Sequence, residues 1–192
     1  MEERGGKGEE ILQAALELIA EHGYHGAPMS MIADKAGVAA GTIYRYFESK
    51  DVLIAELHRG LEDKIEAVLL DNFPFEKTVR EKIFYMVKAV IEYFIAHPLH
   101  FRYMEQYYNS PYGISKHRER FLGKAGRQHI LMDIFEEGIS QHILKDLPKV
   151  LQFALIIGPL ISLIRDHILG FIVMDEDLIK TATTACWDAI KL

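Results

Sequence analysis

Residues 32–50 read IADKAGVAAGTIYRYFESK, and this run decides the fold. Its first part closes a short helix at Gly37, a residue that tolerates the left-handed conformation common at helix C-termini. Only Gly37, Val38 and Ala39 separate that helix from a second one, Ala40 to about Phe47. Two short helices joined by a Gly-containing turn, packed on a preceding helix, make a helix-turn-helix. Val38 is the apolar turn residue able to point back between them. Ile32, Ala33, Ala36, Ile43 and Phe47 supply the rest of a small core.

Upstream, Ile11, Leu12, Ala15, Leu18 and Ile19 recur at helical spacing and predict one apolar stripe on a first helix that stops at Gly23. Pro28 suits the first position of the second helix, where its missing N–H costs nothing. Downstream, Ser49 is placed to cap a long helix from Lys50, with Leu53, Ile54, Leu57, Leu61, Ile65 and Val68 on its apolar side, ending before Asn72-Phe73-Pro74. Further helices are expected over 76–96, 99–109, 115–143, 148–170 and 176–191, with Pro98, Pro111 and Pro148 as punctuation and Gly158-Pro159 as a kink point. Nothing alternates with period two over a useful length. The expectation is an all-α protein of about nine helices. Residues 1–50 would form a three-helix helix-turn-helix domain and residues 51–192 a second helical bundle, connected through the helix over about 50–71 without a Pro/Ser-rich linker.

Hydrophobic residues make up 49% of the 192, enough for a sizeable core. A single cysteine, Cys186, excludes an intrachain disulfide and fits a reducing cytoplasm, most simply as a small buried hydrophobe. The opening MEERGGKGEE is too charged for a signal peptide. The apolar run from Val150 to Ile164 is broken by Gln152, Gly158, Pro159 and Ser162 and is shorter than the ~18 residues of a membrane span. A soluble cytoplasmic protein with no membrane association is expected. The net charge is −6, and the first fifty residues hold five bases against eight acids. Bulk charge therefore does not attract nucleic acid, and any footprint on DNA must come from the placement of individual side chains.

The run from Ile32 to Lys50, together with the upstream ILQAALELIAEHGYHG, resembles the DNA-binding core of the TetR family of bacterial transcriptional regulators. The resemblance covers about a quarter of the chain in one ungapped stretch and implies DNA contacts at Ser30, Ala40, Gly41, Thr42, Tyr44, Arg45, Tyr46 and Lys50. Their chemistry agrees. Ala39, Ala40 and Gly41 give a slim helix entry for close approach to the major groove. Thr42 can donate to phosphate or touch a thymine methyl, and Arg45 can hold guanine bidentately. Lys50 is placed for a backbone phosphate, which positions without reading sequence. Two departures stand out. Ala27 and Ala39 occupy positions where the family often has a Ser or Thr cap, and Ala40 stands where a base often follows. Arg4 and Lys7 would then compensate as a flexible arm on the duplex, or form a solvated terminus.

The resemblance also implies a pocket for a small, largely apolar effector in the second module. An aromatic- and Met-rich stretch could wall it, although most such residues serve as ordinary core. Phe84, Val87, Ile91, Phe94, Phe101 and Met104 are candidate lining residues, as are Tyr107, Phe121, Ile134, Phe153 and Ile157. It further implies a homodimer through the last two helices, which would set two recognition helices about 34–36 Å apart on a palindromic double-stranded operator. The implied function is a repressor released by its ligand. A ligand-responsive activator of the same fold stays open, and an enzyme or an adaptor is disfavoured because no nucleophile–base pair or phosphate loop is seen. No cofactor or metal is expected. His97-Pro98-Leu99-His100 lacks the further ligands of a tetrahedral site and reads as a helix end. The basic stretch from Lys116 to Arg127 is either a solvated helix face or an anion site.

Overall fold

The computed structural model describes residues 2–115 and 130–192. The basic stretch Lys116–Arg127 and the candidate Phe121 lie outside the described residues, as does the side chain of Arg4. The helices are α1 (Glu2–His22), α2 (Met29–Lys35), α3 (Ala40–Tyr46), α4 (Lys50–Leu70), α5 (Val79–Ala96), α6 (Pro98–Tyr108), α7 (Ile130–Ser140), α8 (Lys149–Ile168) and α9 (Glu176–Ile190). Residues 111–115 are helical as well. Among the described residues the only strand-like pairing is one antiparallel bridge between Leu144 and Lys191, so the protein is all-α as its periodicity predicts. Two compact units form, one from residues 1–66 and 97–115, the other from 67–96 and 116–192.

In the first unit α1 packs on both α2 and α6. That explains why its buried surface is wider than a single stripe. Ile11, Ala15, Leu18 and Ile19 are buried as the spacing predicts, but so are Ala14, Leu16 and Ala20, while Leu12 is only partly covered. The Gly-rich start of the chain is helical from Glu2 onward, and the Lys7 ammonium pairs with Glu10 at 2.7 Å. Lys7 is thus part of α1, and the flexible-arm reading does not hold for it. Gly23, at φ 69°, ends α1 where expected, its N–H donating to the Ile19 carbonyl.

The α2–α3 turn is a Schellman motif. Val38 N–H donates to the Ala33 carbonyl at 2.9 Å and Gly37 N–H to the Asp34 carbonyl at 3.1 Å, with Gly37 at φ 64°. Two features differ from expectation by one position. Pro28 is the N-cap of α2, with ψ 157° in the extended region, rather than its first helical residue. Phe47 has already turned extended, at φ −131°, while still burying its ring. At α4 the expected cap forms, with Val52 N–H donating to Ser49 Oγ at 3.2 Å.

In the second unit α5 packs against α7, α8 and α9, and α8 against α9. Helix α5 begins three residues later than periodicity suggests because Thr78 and Glu81 form a capping box. The Thr78 N–H and hydroxyl both donate to Glu81 Oε2, and Glu81 N–H donates to Thr78 Oγ1. The Lys82 ammonium reaches both Glu137 oxygens, at 2.9 and 2.7 Å, and ties α5 to α7. Asp175 caps α9 by accepting from Leu178 N–H. Helix α8 continues through Pro159 and buries Gln152, Ile156, Leu160 and Ile164, a period of four along one side. At 20 residues, with an 18-residue window of mean hydropathy 1.4, α8 is long and apolar enough to cross a membrane. The broken apolar run in the sequence understates this, because the helix extends past both ends of that run.

Candidate DNA-binding surface

The seven-residue helix α3 is held to the core by Ile43, which is fully buried, and by Phe47 just beyond it. Burying such side chains stabilises by roughly 1.5–3 kcal/mol each and fixes which face of the helix points outward. That outer face carries Ala40, Gly41, Tyr44 and Arg45, with Tyr44 55% exposed. A Cβ added at Gly41 would meet nothing within 4 Å, so the helix entry is open. The Arg45 guanidinium lies 5.9 Å from the centre of the Tyr46 ring and pairs with no carboxylate among the described residues. Tyr46 is half-buried, and a Cβ added at Gly8 of α1 would stand only 3.7 Å from its Cδ1. Thr42 is half-buried, and Ser30 is exposed on α2. Ala39, the N-cap of α3, offers no side-chain hydrogen bond, and Pro28 offers none to α2.

Lys50 is not a loose surface cation. Its ammonium donates to the Tyr24 carbonyl in the turn after α1. Burial pushes its pKa below the ordinary lysine value, and neighbouring Asp51 partly restores it. An ammonium has three donors, so this contact leaves two for a phosphate. No local pattern marks Tyr24, Tyr112 or Asp51 as partners in this corner. Tyr24 packs its ring against Tyr112 at 5.4 Å, and the Tyr112 hydroxyl donates to Asp51 at 2.6 Å. Lys35 is also engaged, 2.9 Å from Glu17, which raises its pKa and lowers that of the carboxylate.

The candidate effector residues are divided by the fold. Val87, Ile91 and Ile134 are buried in the second unit, with Phe84, Phe94, Phe153 and Ile157 half-buried there. Phe84 lies beneath the Arg80 guanidinium at 4.4 Å and meets Trp187 edge-on. Phe101, Met104 and Tyr107 belong to the first unit, where the Tyr107 ring stacks on buried His58 with centroids 3.5 Å apart. A groove of about 930 Å³ in that unit is lined by Leu12, Leu16, Leu57, Leu61 and His100 together with acidic and basic side chains, and by none of the candidate residues. His97 and His100 stack at 5.0 Å, and no group of three or more metal-ligating side chains occurs among the described residues. Cys186 is buried, its thiol facing the Ile156 carbonyl.

The exposed apolar surface is concentrated on and beyond α8. Val150, Leu151 and Ile161 are exposed on α8 outside its buried row, and Leu169, Phe171 and Val173 continue past its end, with Phe171 75% exposed.

Residues 11–57 match the family described as bacterial regulatory proteins, tetR family, and residues 79–191 match the tetracyclin repressor-like C-terminal domain. The fatty acid metabolism regulator protein of Bacillus subtilis is 36% identical over 83 residues, which is 43% of either chain, so the match spans less than half of that relative. Among solved structures, a TetR-family regulator from Marinobacter aquaeolei superposes over 100% of this chain and 99% of its own, with TM-score 0.86 and 24% identity. The regulator FadR of Bacillus subtilis, solved with stearoyl-CoA, superposes over 93% and 95%, with TM-score 0.69 and 24% identity. The second family match alone covers more than half of the chain, and with the helix-turn-helix that precedes it the protein belongs to the TetR family of DNA-binding bacterial transcription regulators.

Proposed function

We propose that the protein is a cytoplasmic, dimeric repressor that binds a palindromic operator and leaves it when a small, largely apolar ligand binds. One observation carries the DNA-reading part. Helix α3 buries Ile43 and turns Tyr44 and Arg45 outward beside the open Gly41. Within this reading Arg45 reads a base, Ser30, Ala40, Gly41, Thr42, Tyr44 and Tyr46 line the contact, and Lys50 meets a phosphate. Residues 1–50 read DNA and residues 51–192 sense and pair.

Dimerisation is supported by the apolar surface of α8 and the segment after it. A monomer would expose Val150, Leu151, Ile161, Leu169, Phe171 and Val173 to water together, and a patch of that kind ordinarily marks an interface. The same feature accounts for the hydropathy of α8 without a membrane, since its opposite side packs on α5 and α9. The ligand is drawn from hydrophobic acyl compounds, a class suggested by the stearoyl-CoA held by FadR. Val87, Ile91, Phe94, Ile134, Phe153 and Ile157 are the lining residues to test first, followed by Phe84, Phe101, Met104, Tyr107 and Phe121.

The test is operator binding by the purified protein with and without acyl-CoA thioesters of graded chain length, on a duplex selected by the protein from a random-sequence library. Ligand binding can move the operator equilibrium only through different affinities for the two states of the protein. A thioester that saturates the protein and leaves the operator Kd unchanged would overturn ligand-controlled release. Arg45→Ala that keeps the selected sequence preference would overturn the base-reading role.

A further inference from the structure

Four residues close a circuit at the N-terminus of α4. The Lys50 ammonium donates to the Tyr24 carbonyl. The Tyr24 ring lies 5.4 Å from that of Tyr112, tilted at 42°. The Tyr112 hydroxyl donates to Asp51 Oδ1 at 2.6 Å, and Asp51 is the next residue after Lys50. Three segments far apart in sequence meet here: the turn that closes α1, the first turn of α4, and the helical residues 111–115. Tyr24 is itself braced from behind by the fully buried Tyr103, ring centroids 6.4 Å apart.

A lysine side chain left to itself samples many rotamers, and ordering it on a phosphate costs entropy. In this corner the order is built in before DNA arrives. The carbonyl that receives the ammonium belongs to a residue whose ring Tyr112 buttresses, and the carboxylate beside it is held by the Tyr112 hydroxyl. We propose that Tyr112 is a positioning residue for DNA binding: its ring on Tyr24 and its hydroxyl on Asp51 fix the Lys50 ammonium for a backbone phosphate. This rests on the reading of Lys50 as a phosphate contact. Tyr112 does not touch DNA and acts through Lys50. The hydrogen bond to Asp51, with burial, lifts the Tyr112 hydroxyl to about 12, so it stays a donor throughout the neutral range.

The experiment compares wild type, Tyr112→Phe, Lys50→Met and the double variant, each as full-length protein. Kd is measured by fluorescence anisotropy across a salt series, on the library-selected duplex and on an unrelated duplex of equal length. Tyr112→Phe keeps the ring and removes only the hydroxyl, so folding is preserved and circular dichroism confirms it. The expected result is an affinity loss of about fivefold on both duplexes, the scale of losing one exposed polar contact per protomer. The slope of log K against log salt should become shallower in the same direction as in Lys50→Met, because fewer counterions are released. In the Lys50→Met background Tyr112→Phe should have no further effect. A Tyr112→Phe protein with unchanged Kd and slope, or with the same loss in both backgrounds, would overturn the proposal while leaving the Lys50 contact standing. If Lys50→Met itself leaves Kd and slope unchanged, the phosphate-contact reading fails and the proposal fails with it.

Discussion

Restoring the missing cap of the recognition helix is the perturbation whose outcome the geometry determines most closely. Ala39 sits at φ −65° and ψ 147°, the extended conformation of an N-cap, and its side chain is exposed. Its carbonyl already accepts from Thr42 N–H at 2.8 Å. A hydroxyl or carboxylate at this position can accept from the amides of the first turn, which are otherwise left to water. Ala39→Ser and Ala39→Asp should therefore each stabilise the protein by about 1 kcal/mol. For a chain of this size that is a rise in Tm of roughly 2–4 °C. Urea unfolding without DNA is the assay, because it reads the cap apart from any new contact to the duplex. The two variants should diverge on DNA. Because α3 is formed before docking, Ser should change affinity little. Asp should weaken binding, since it places a negative charge at the surface that meets phosphate. A midpoint that stays the same or falls in both variants would refute the reasoning, since the backbone geometry would then not admit a cap.

Gly37→Ala should destabilise by about 1–2 kcal/mol, because φ 64° is a left-handed conformation and open space around the site offers no compensating contact; denaturant titration checks it. Glu81 is held below the ordinary carboxylate value by its bonds from Thr78, so the stability it adds is complete above pH 4.5 and is lost as pH falls through its folded value. Glu81→Ala should accordingly flatten the acid limb of a Tm-versus-pH profile. The Cys186 thiol, buried and pushed upward by that burial, should react with a thiol reagent at pH 8 far more slowly in the native protein than in urea.

The reader was largely legible because its signals are local. Gly37 at its positive φ, Val38 in the turn, Ser49 at the α4 cap and the Ile43–Phe47 spacing each depend on neighbours within a few residues. What escaped depends on long-range packing. Nothing in the spacing of α1 shows that α6 covers a second side of it, and so nothing marks Leu16 and Ala20 as buried. For the same reason Tyr107, an aromatic in a Tyr-rich helix, reads as well for a pocket wall as for its place against His58. The Lys50–Tyr24–Tyr112–Asp51 circuit spans up to 88 residues of chain between Tyr24 and Tyr112. One missed feature was local. Thr78-Val79-Arg80-Glu81 carries the capping-box spacing, and weighing it would have placed the start of α5 correctly.

The first fifty residues hold only five Lys and Arg, and the structure limits which of them are available to phosphate. In the reader, Lys7 is paired with Glu10 and Lys35 with Glu17, so engaging phosphate would first require breaking those pairs. Arg45 is the cation among the described residues of α3, and Lys50 is anchored to a carbonyl rather than ion-paired with a carboxylate. In the proposed dimer these described residues present about four effective charges, which gives a slope of log K against log salt near −3.6. Raising salt from 50 to 200 mM should weaken binding by about 150-fold on that slope. If Lys7 and Lys35 abandoned their carboxylates, the charge count would double and the same change in salt would cost about 20,000-fold. The two cases differ by two orders of magnitude, well within what anisotropy titrations resolve. A slope near −7 would show that the ion pairs of α1 open on DNA, and it would refute the view that placement rather than total charge sets the footprint.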